Sequence, residues 1–336
     1  MKVDSSGFFR PGEIASAALA LEESGYDAVW AAEASHDAFI GLGIAADHTS
    51  RIGIGTGIAV AFARTPMTAA IAANDLQLIS QGRFMLGLGS QIKPHITKRY
   101  SMPWSAPAAR MREFVLALHA IWDGFETGEP IRFEGEHYTH TLMAPMFNPG
   151  PNPYGRAPVY LAGVGPGMTE VAGEVADGFI CHPLTTRRYI QEVTLPALEA
   201  GRAKDERGLK PLDIAGMPFV ITGQTEQSIQ EAILGTKKQI AFYGSTPAYR
   251  PVLELHGFGA LQDELNAMSK RGLWDEMGTV IPDEFVDLVA VTGAPEEIAG
   301  KLQERYGDLL HRMSFYTMYK SDPQIWPQII RALKEV

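Results

Sequence analysis

Short apolar runs alternate along this chain with longer segments whose apolar positions recur at helical spacing. The run at residues 28–32 has no polar interruption, as expected of a strand buried on both faces in a parallel sheet. Further strands are predicted at 2–4, 52–58, 84–88, 159–162, 178–181, 214–221 and 314–318. Between them lie helical patterns. Arg10, Pro11 and Gly12 open a helix with Ile14, Ala17, Ala18 and Leu21 on its apolar face, ending at Gly25. Thr65 sits at an N-cap with Pro66 in the first helical position, and Gly82 stops that helix after about residue 80. The helix predicted over 105–125 carries one stripe of Phe114, Leu118, Ile121, Trp122 and Phe125. Residues 130–140 alternate like a hairpin, and 145–158 form a loop rich in Pro, Asn and Gly. Helices follow over 167–175, 186–202, 225–240 and 247–271. Another helix opens at Pro295, with Glu296 and Glu297 placed well for the helix dipole. The last is capped by Asp322 and Pro323 and buries Trp326, Ile329, Ile330 and Leu333.

Eight strands, nearly all followed by helices, imply a parallel sheet, and eight βα units favour closure into a barrel. The expected architecture is α/β: a single (β/α)8 TIM-barrel domain over 1–336, with insertions after strands four and seven. The rival, an open doubly wound sheet, lacks a Gly-x-Gly-x-x-Gly turn after the first strand. The second insertion, around 247–271, is expected to cover the barrel mouth and shape substrate choice.

Composition narrows the function classes. A net charge of −10 argues against nucleic acid as a partner. The single cysteine, Cys181, cannot form an intrachain disulfide, which fits a reducing cytoplasm and excludes a cysteine-based zinc site. No apolar run approaches the ~20 residues that span a bilayer, and no signal peptide is visible. A cytoplasmic chain with no membrane partner and no metal is expected.

In this barrel class function lives on the loops after the strands. Strand two passes abruptly into Glu33, Ser35, His36 and Asp37. Glu33 could bond a cofactor ring or buried backbone, and His36 could act as acid or base. The plain alternative is that Ser35 or Asp37 caps the next helix. Strand three carries Gly53, Gly55 and Gly57 at period two, leaving one face bare for a ligand or for tight barrel packing. Strand four repeats this with Gly87 and Gly89, followed by Ser90 and Gln91. After strand five, Ala162, Gly163, Val164, Gly165 and Pro166 lead into a helix, where free N–H groups suit an anion. Lys93, His95, Lys98 and Arg99 form a basic cluster that is either an anion dock or a solvated loop. Arg187 and Arg188 begin a helix, where cations oppose the dipole.

The segments Gly25 to Trp30, Arg51 to Ile58 with Arg64, Thr65 and Pro66, Gly82 to Gly89, and Pro158 to Pro166 with Ala176 to Ile180 together resemble the luciferase-like superfamily, in order and over nearly the whole chain. Gly89, Ser90 and Gln91 with Lys93 and His95, then Met102, Pro103 and Trp104, look most like the branch that uses the deazaflavin coenzyme F420. That resemblance implies hydride transfer between coenzyme F420 and a small organic substrate, and a homodimer. It implies a non-prolyl cis peptide at Gly57 and Ile58 supporting the back of the ring, with Glu33 at the ring edge. It also implies cofactor contacts from Gly89, Ser90, Gln91, Ala162 to Pro166 and Arg187, and His36 as proton donor or acceptor. Two other readings keep the fold: a flavin mononucleotide (FMN) monooxygenase, and a cofactor-binding protein without turnover. The sugar-phosphate dehydrogenases of the superfamily carry a histidine where Ala34 stands, so sugar-phosphate oxidation is not expected.

Overall fold

Eight parallel strands close into a barrel in the computed structural model, which describes residues 1–208 and 211–335. They are β1 (Lys2–Gly7), β2 (Ala28–Ala31), β3 (Gly53–Thr56), β4 (Phe84–Gly89), β5 (Val159–Gly163), β6 (Gly178–Cys181), β7 (Asp213–Gly216) and β8 (Arg312–Ser314). Neighbours in sequence are neighbours in space. β1 pairs with both β2 and β8, and the pairing of β3 with β4 completes the ring.

Two side-chain layers explain the strand sequences. Outward-facing residues such as Val29, Ile54, Leu86 and Leu161 pack under the surrounding helices in one large core. Inward-facing Trp30, Met85, Tyr160, Ile180 and Ala215 fill the barrel itself. Burial on both faces removes the polar alternation that would mark a one-sided strand.

The period-two glycines make that interior possible. Trp30 stands in register with Gly55, and a Cβ on Gly55 would lie 2.5 Å from the indole. A Cβ on Gly87 would lie 1.9 Å from the Thr56 carbonyl oxygen. At these positions the bare strand face is filled by the barrel's own atoms.

Charge is also built into the interior. Arg312 is 3% exposed and donates to both carboxylate oxygens of Asp4, at 2.6 and 3.2 Å. Trp30 Nε1 donates to the same carboxylate, and Arg312 also donates to the Tyr160 hydroxyl. A buried arginine reads as loop in a hydrophobicity pattern, which is why the last strand lies at Arg312–Ser314 and not at 314–318.

The segment predicted as one strand over 214–221 is two. Pro218 has no N–H to donate to a ladder. After it, Phe219–Ile221 leaves the barrel and pairs in parallel with Ala290–Thr292, a strand the pattern did not suggest. The expected hairpin over 130–140 shrinks to Phe133–Glu134 against Thr139–His140. The helical stretch 247–271 is broken into Pro247–Tyr249, Arg250–Glu254 and Gly259–Lys270. The two long excursions leave the barrel after β4 and β7, and no helix among the described residues is long and apolar enough to cross a membrane.

Candidate active site at the barrel mouth

The third strand is interrupted at the rim. Its ladder with β4 runs through Gly55 and Met85, then resumes as Ala59 opposite Leu88 and Val60 opposite Gly89. One extra residue on the β3 side makes this a bulge. The Gly57–Ile58 peptide within it is cis. Thr56 repairs the gap in the ladder: its hydroxyl donates to the Gly87 carbonyl at 2.7 Å and accepts from the Gly87 N–H at 2.9 Å. On the other flank, Gly57 N–H donates to the Ala31 carbonyl and Glu33 N–H to the Ile58 carbonyl.

Glu33 clamps this bulge. Its carboxylate accepts two hydrogen bonds from Arg64, at 2.6 and 2.9 Å, and one from the Val60 N–H at 2.7 Å. Fork geometry and partial burial make such a pair directional. Asp37 caps the helix Ala38–His48, accepting from Ile40 N–H, and also meets Arg64. His36, between them, is exposed.

Ile58 projects inward from the bulge. Gly89 makes room for it, since a Cβ there would lie 2.8 Å from the Ile58 side chain. Ile58, Ala162 and Met217 are partly buried and rest together on the inner barrel cluster. They form an apolar floor across the mouth, drawn from the exits of β3, β5 and β7. Ser90 and Gln91 follow β4 on the same rim, with Gln91 in the left-handed region at φ 59°. Gly163 and Val164 lead to the helix Pro166–Val175, whose N-cap is Gly165 with Pro166 behind it. A Cβ on Gly165 would meet nothing within 4 Å, so the backbone there is open.

Expected site residues thus fall into two groups. Glu33, Gly57, Ile58, Gly89, Ser90, Gln91 and Ala162 to Pro166 gather on the rim. Arg187 does not join them: its guanidinium is held by both Asp308 oxygens, at 2.6 Å each, and by the Arg305 carbonyl. The basic residues after β4 are exposed on the segment His95–Arg99, with Arg99 donating to the Ala34 carbonyl.

A third group went unread in the sequence. His182 directly follows β6, one residue beyond the register pair Gly163 and Cys181. Its Nδ1 accepts from the Leu184 N–H at 3.1 Å, and its Nε2 lies 3.0 Å from the Tyr249 hydroxyl. The rings of Tyr243 and Tyr249 each lie 4.4 Å from the imidazole, centroid to centroid. Tyr316, just past β8, shares a short hydroxyl contact with Tyr243 and accepts from Gln239. Burial pushes the His182 pKa down to about 3, so the ring is neutral. Burial likewise raises the hydroxyl pKa values of Tyr243, Tyr249 and Tyr316. The visible signal was a histidine at a strand end. The tyrosines come from helices remote in sequence, and no local pattern links them.

The apolar floor, bulged third strand and polar rim lie at the C-terminal ends of the strands, the end of a closed parallel barrel where function is built. The chain belongs to the luciferase-like monooxygenase family, which it matches over residues 2–312. An uncharacterised protein of Mycobacterium tuberculosis is 50% identical over 93% of this chain and 92% of its own. A 5,10-methylenetetrahydromethanopterin reductase of Archaeoglobus fulgidus is 26% identical over 84% of this chain and 82% of its own. In fold, the chain is similar to the coenzyme F420-dependent tetrahydromethanopterin reductase of Methanopyrus kandleri, with TM-score 0.77 and 21% identity over 99% of this chain and 96% of that one.

Proposed function

We propose that this protein is a coenzyme F420-dependent oxidoreductase that moves a hydride between the deazaflavin and a small organic substrate. The observation that carries this reading is the apolar floor of Ile58, Ala162 and Met217, braced from one side by the bulge that Glu33 and Arg64 hold. A flat ring system fits such a floor, and the open backbone around Gly165 suits a phosphate or other anionic tail at a helix N-terminus. When bound, the deazaflavin supplies two-electron hydride chemistry.

The chain's own residues then have distinct tasks. Ile58 backs the ring, and Glu33 acts through Arg64 and Val60 to hold that backing in place. The floor excludes water from one face. Ser90, Gln91 and the Gly163 to Pro166 backbone line the rim where polar edges of the ring would lie. His36, on the exposed loop after β2, is proposed as a group that meets substrate. A homodimer belongs to this reading: Ile71, Leu78 and Ile79 stand exposed along the helix Pro66–Ile79.

The test is titration of the purified protein with coenzyme F420 and, separately, FMN, followed by fluorescence quenching. Saturable binding of the deazaflavin in preference to FMN is expected. Preference for FMN would move the assignment to a flavin-dependent monooxygenase. F420 binding without turnover on any carbonyl or alcohol would favour a cofactor carrier.

A further inference from the structure

We propose that Tyr249 is the proton donor of this site, that His182 is the positioning residue that aims it, and that the pair recognises an uncharged carbonyl or hydroxyl oxygen. The inference rests on the cofactor reading above.

His182 Nδ1 accepts the Leu184 N–H. In a neutral imidazole the other nitrogen then carries the proton. Nε2–H therefore donates to the Tyr249 oxygen, 3.0 Å away. With that oxygen accepting, the Tyr249 O–H is free to donate elsewhere. His182 itself cannot serve as the acid or base of a reaction, because a second proton on Nδ1 would displace the backbone bond. Its low pKa, caused by burial, agrees with that restriction.

Position supports the same assignment. His182 leaves β6 beside the Gly163 to Pro166 loop, and Tyr189 from the following helix bonds the Val164 carbonyl at 3.2 Å. β6 and β7 lie across the ring of strands from the β3 bulge. Ile58 and Ala162 would hold a planar cofactor between the bulge and the strands from which His182 and the tyrosines come. His182, Tyr243, Tyr249 and Tyr316 each retain some exposed surface.

The chemistry of the patch defines the substrate. Among the described residues, the side-chain hydrogen-bond and ring partners of these four are uncharged: one another, Gln239, Phe219 and Phe242. A carboxylate or phosphate at the reacting end would find no counter-charge there, whereas a ketone, aldehyde or alcohol oxygen would find hydroxyl donors. In the reducing direction, a bound reduced deazaflavin would supply the hydride to the carbonyl carbon, and the C=O π pair would move onto oxygen. That oxygen takes the Tyr249 proton, and the phenolate, held by the His182 Nε2–H, regains a proton from solvent. The carbonyl is reduced to an alcohol and the cofactor is oxidised by two electrons. The reverse sequence oxidises an alcohol.

The test uses protein loaded with oxidised F420, which cannot reduce a ketone. Acetone and cyclohexanone, each labelled with 13C at the carbonyl, are titrated and followed by isotope-edited infrared spectroscopy. Saturable binding is expected, with the bound C=O stretch moving to higher frequency in Tyr249→Phe, as the hydrogen bond is lost. His182→Phe should shift it partway, and His182→Gln, whose amide can still donate to Tyr249, should restore most of the wild-type position. In turnover with reduced F420, Tyr249→Phe should lose ~10²- to 10⁴-fold in kcat with KM little changed. Acetate and cyclohexanecarboxylate should bind more weakly than the ketones. An unmoved C=O stretch in Tyr249→Phe, no saturable ketone binding, or tighter carboxylate binding overturns the inference. Loss of F420 binding in the wild type would instead overturn the cofactor reading on which it rests.

Discussion

Gly87 shows how little freedom single positions have in this barrel. A Cβ there would lie 1.9 Å from backbone, in a core that cannot open locally. Gly87→Ala should destabilise the fold by about 3 kcal/mol or more, at or above the top of the ~1–3 kcal/mol usual for overpacking a well-packed core. Chemical denaturation would measure it, and an unchanged midpoint would refute the packing described. Arg312 is a second such position. Its removal strands the Asp4 carboxylate in the barrel interior, so Arg312→Leu should cost ~3–5 kcal/mol. The buried histidines set a pH dependence. His119 and His182 are both held down to about 3 from an ordinary 6.5, chiefly by burial. Between those values the unfolded chain binds more protons than the folded one, so their contribution to stability is complete above the window and is lost as pH falls through it. The urea midpoint should therefore drop less between pH 7 and pH 4.5 in His119→Asn than in the wild type. An equal drop in both would mean that His119 is not held neutral. At this scale the sequence was partly legible. Glycines at period two announced close approach, but only the structure reveals that Trp30 and Thr56 are what approach. Nothing local in the sequence brings His182 to Tyr249, because 67 residues separate them.

Among elements, the bulge after β3 ties residue chemistry to the site. Its backbone is held by Ala31 and Glu33, the Thr56 hydroxyl ties it to Gly87, and its brace is the Glu33–Arg64 fork. Glu33→Gln leaves Arg64 with only the longer contact to Asp37 as a charged partner and replaces one acceptor oxygen by a donor. We expect weaker F420 binding, by tenfold or more, with the barrel still folded by circular dichroism. Unchanged affinity would mean that the clamp serves stability alone. Strand identity was readable wherever an apolar run is unbroken, as in β2, β4, β5 and β6. It was misread where another term overrides hydrophobicity. Pro218 diverts a strand out of the barrel, and Arg312 enters the interior because Asp4 neutralises it. The insertion over 247–271 was expected above the mouth; the structure places one of its residues, Tyr249, 3.0 Å from His182, which directly follows β6. The separate sheet of Phe219–Ile221 and Ala290–Thr292 pairs segments too distant for any local pattern to reveal.

For the molecule as a whole, the eightfold alternation determines where function can sit. Eight strands of one sense bring all their C-terminal ends to one rim, so residues from β2 to β8 share one mouth. Ile71, Leu78 and Ile79 are exposed on the outer wall, and if they form the proposed dimer contact, light scattering should give a dimer mass that Ile71→Glu with Leu78→Glu halves. A monomeric wild type would contradict the proposed dimer without touching the mouth. The central claim is that a deazaflavin ring lies on the floor of Ile58, Ala162 and Met217. A crystal structure of the F420 complex tests it most directly. The account predicts the ring against Ile58 with its anionic tail toward Gly163 to Pro166 and the Tyr249 hydroxyl across the open face. A ring bound away from that floor, or with its tail directed elsewhere, would contradict it.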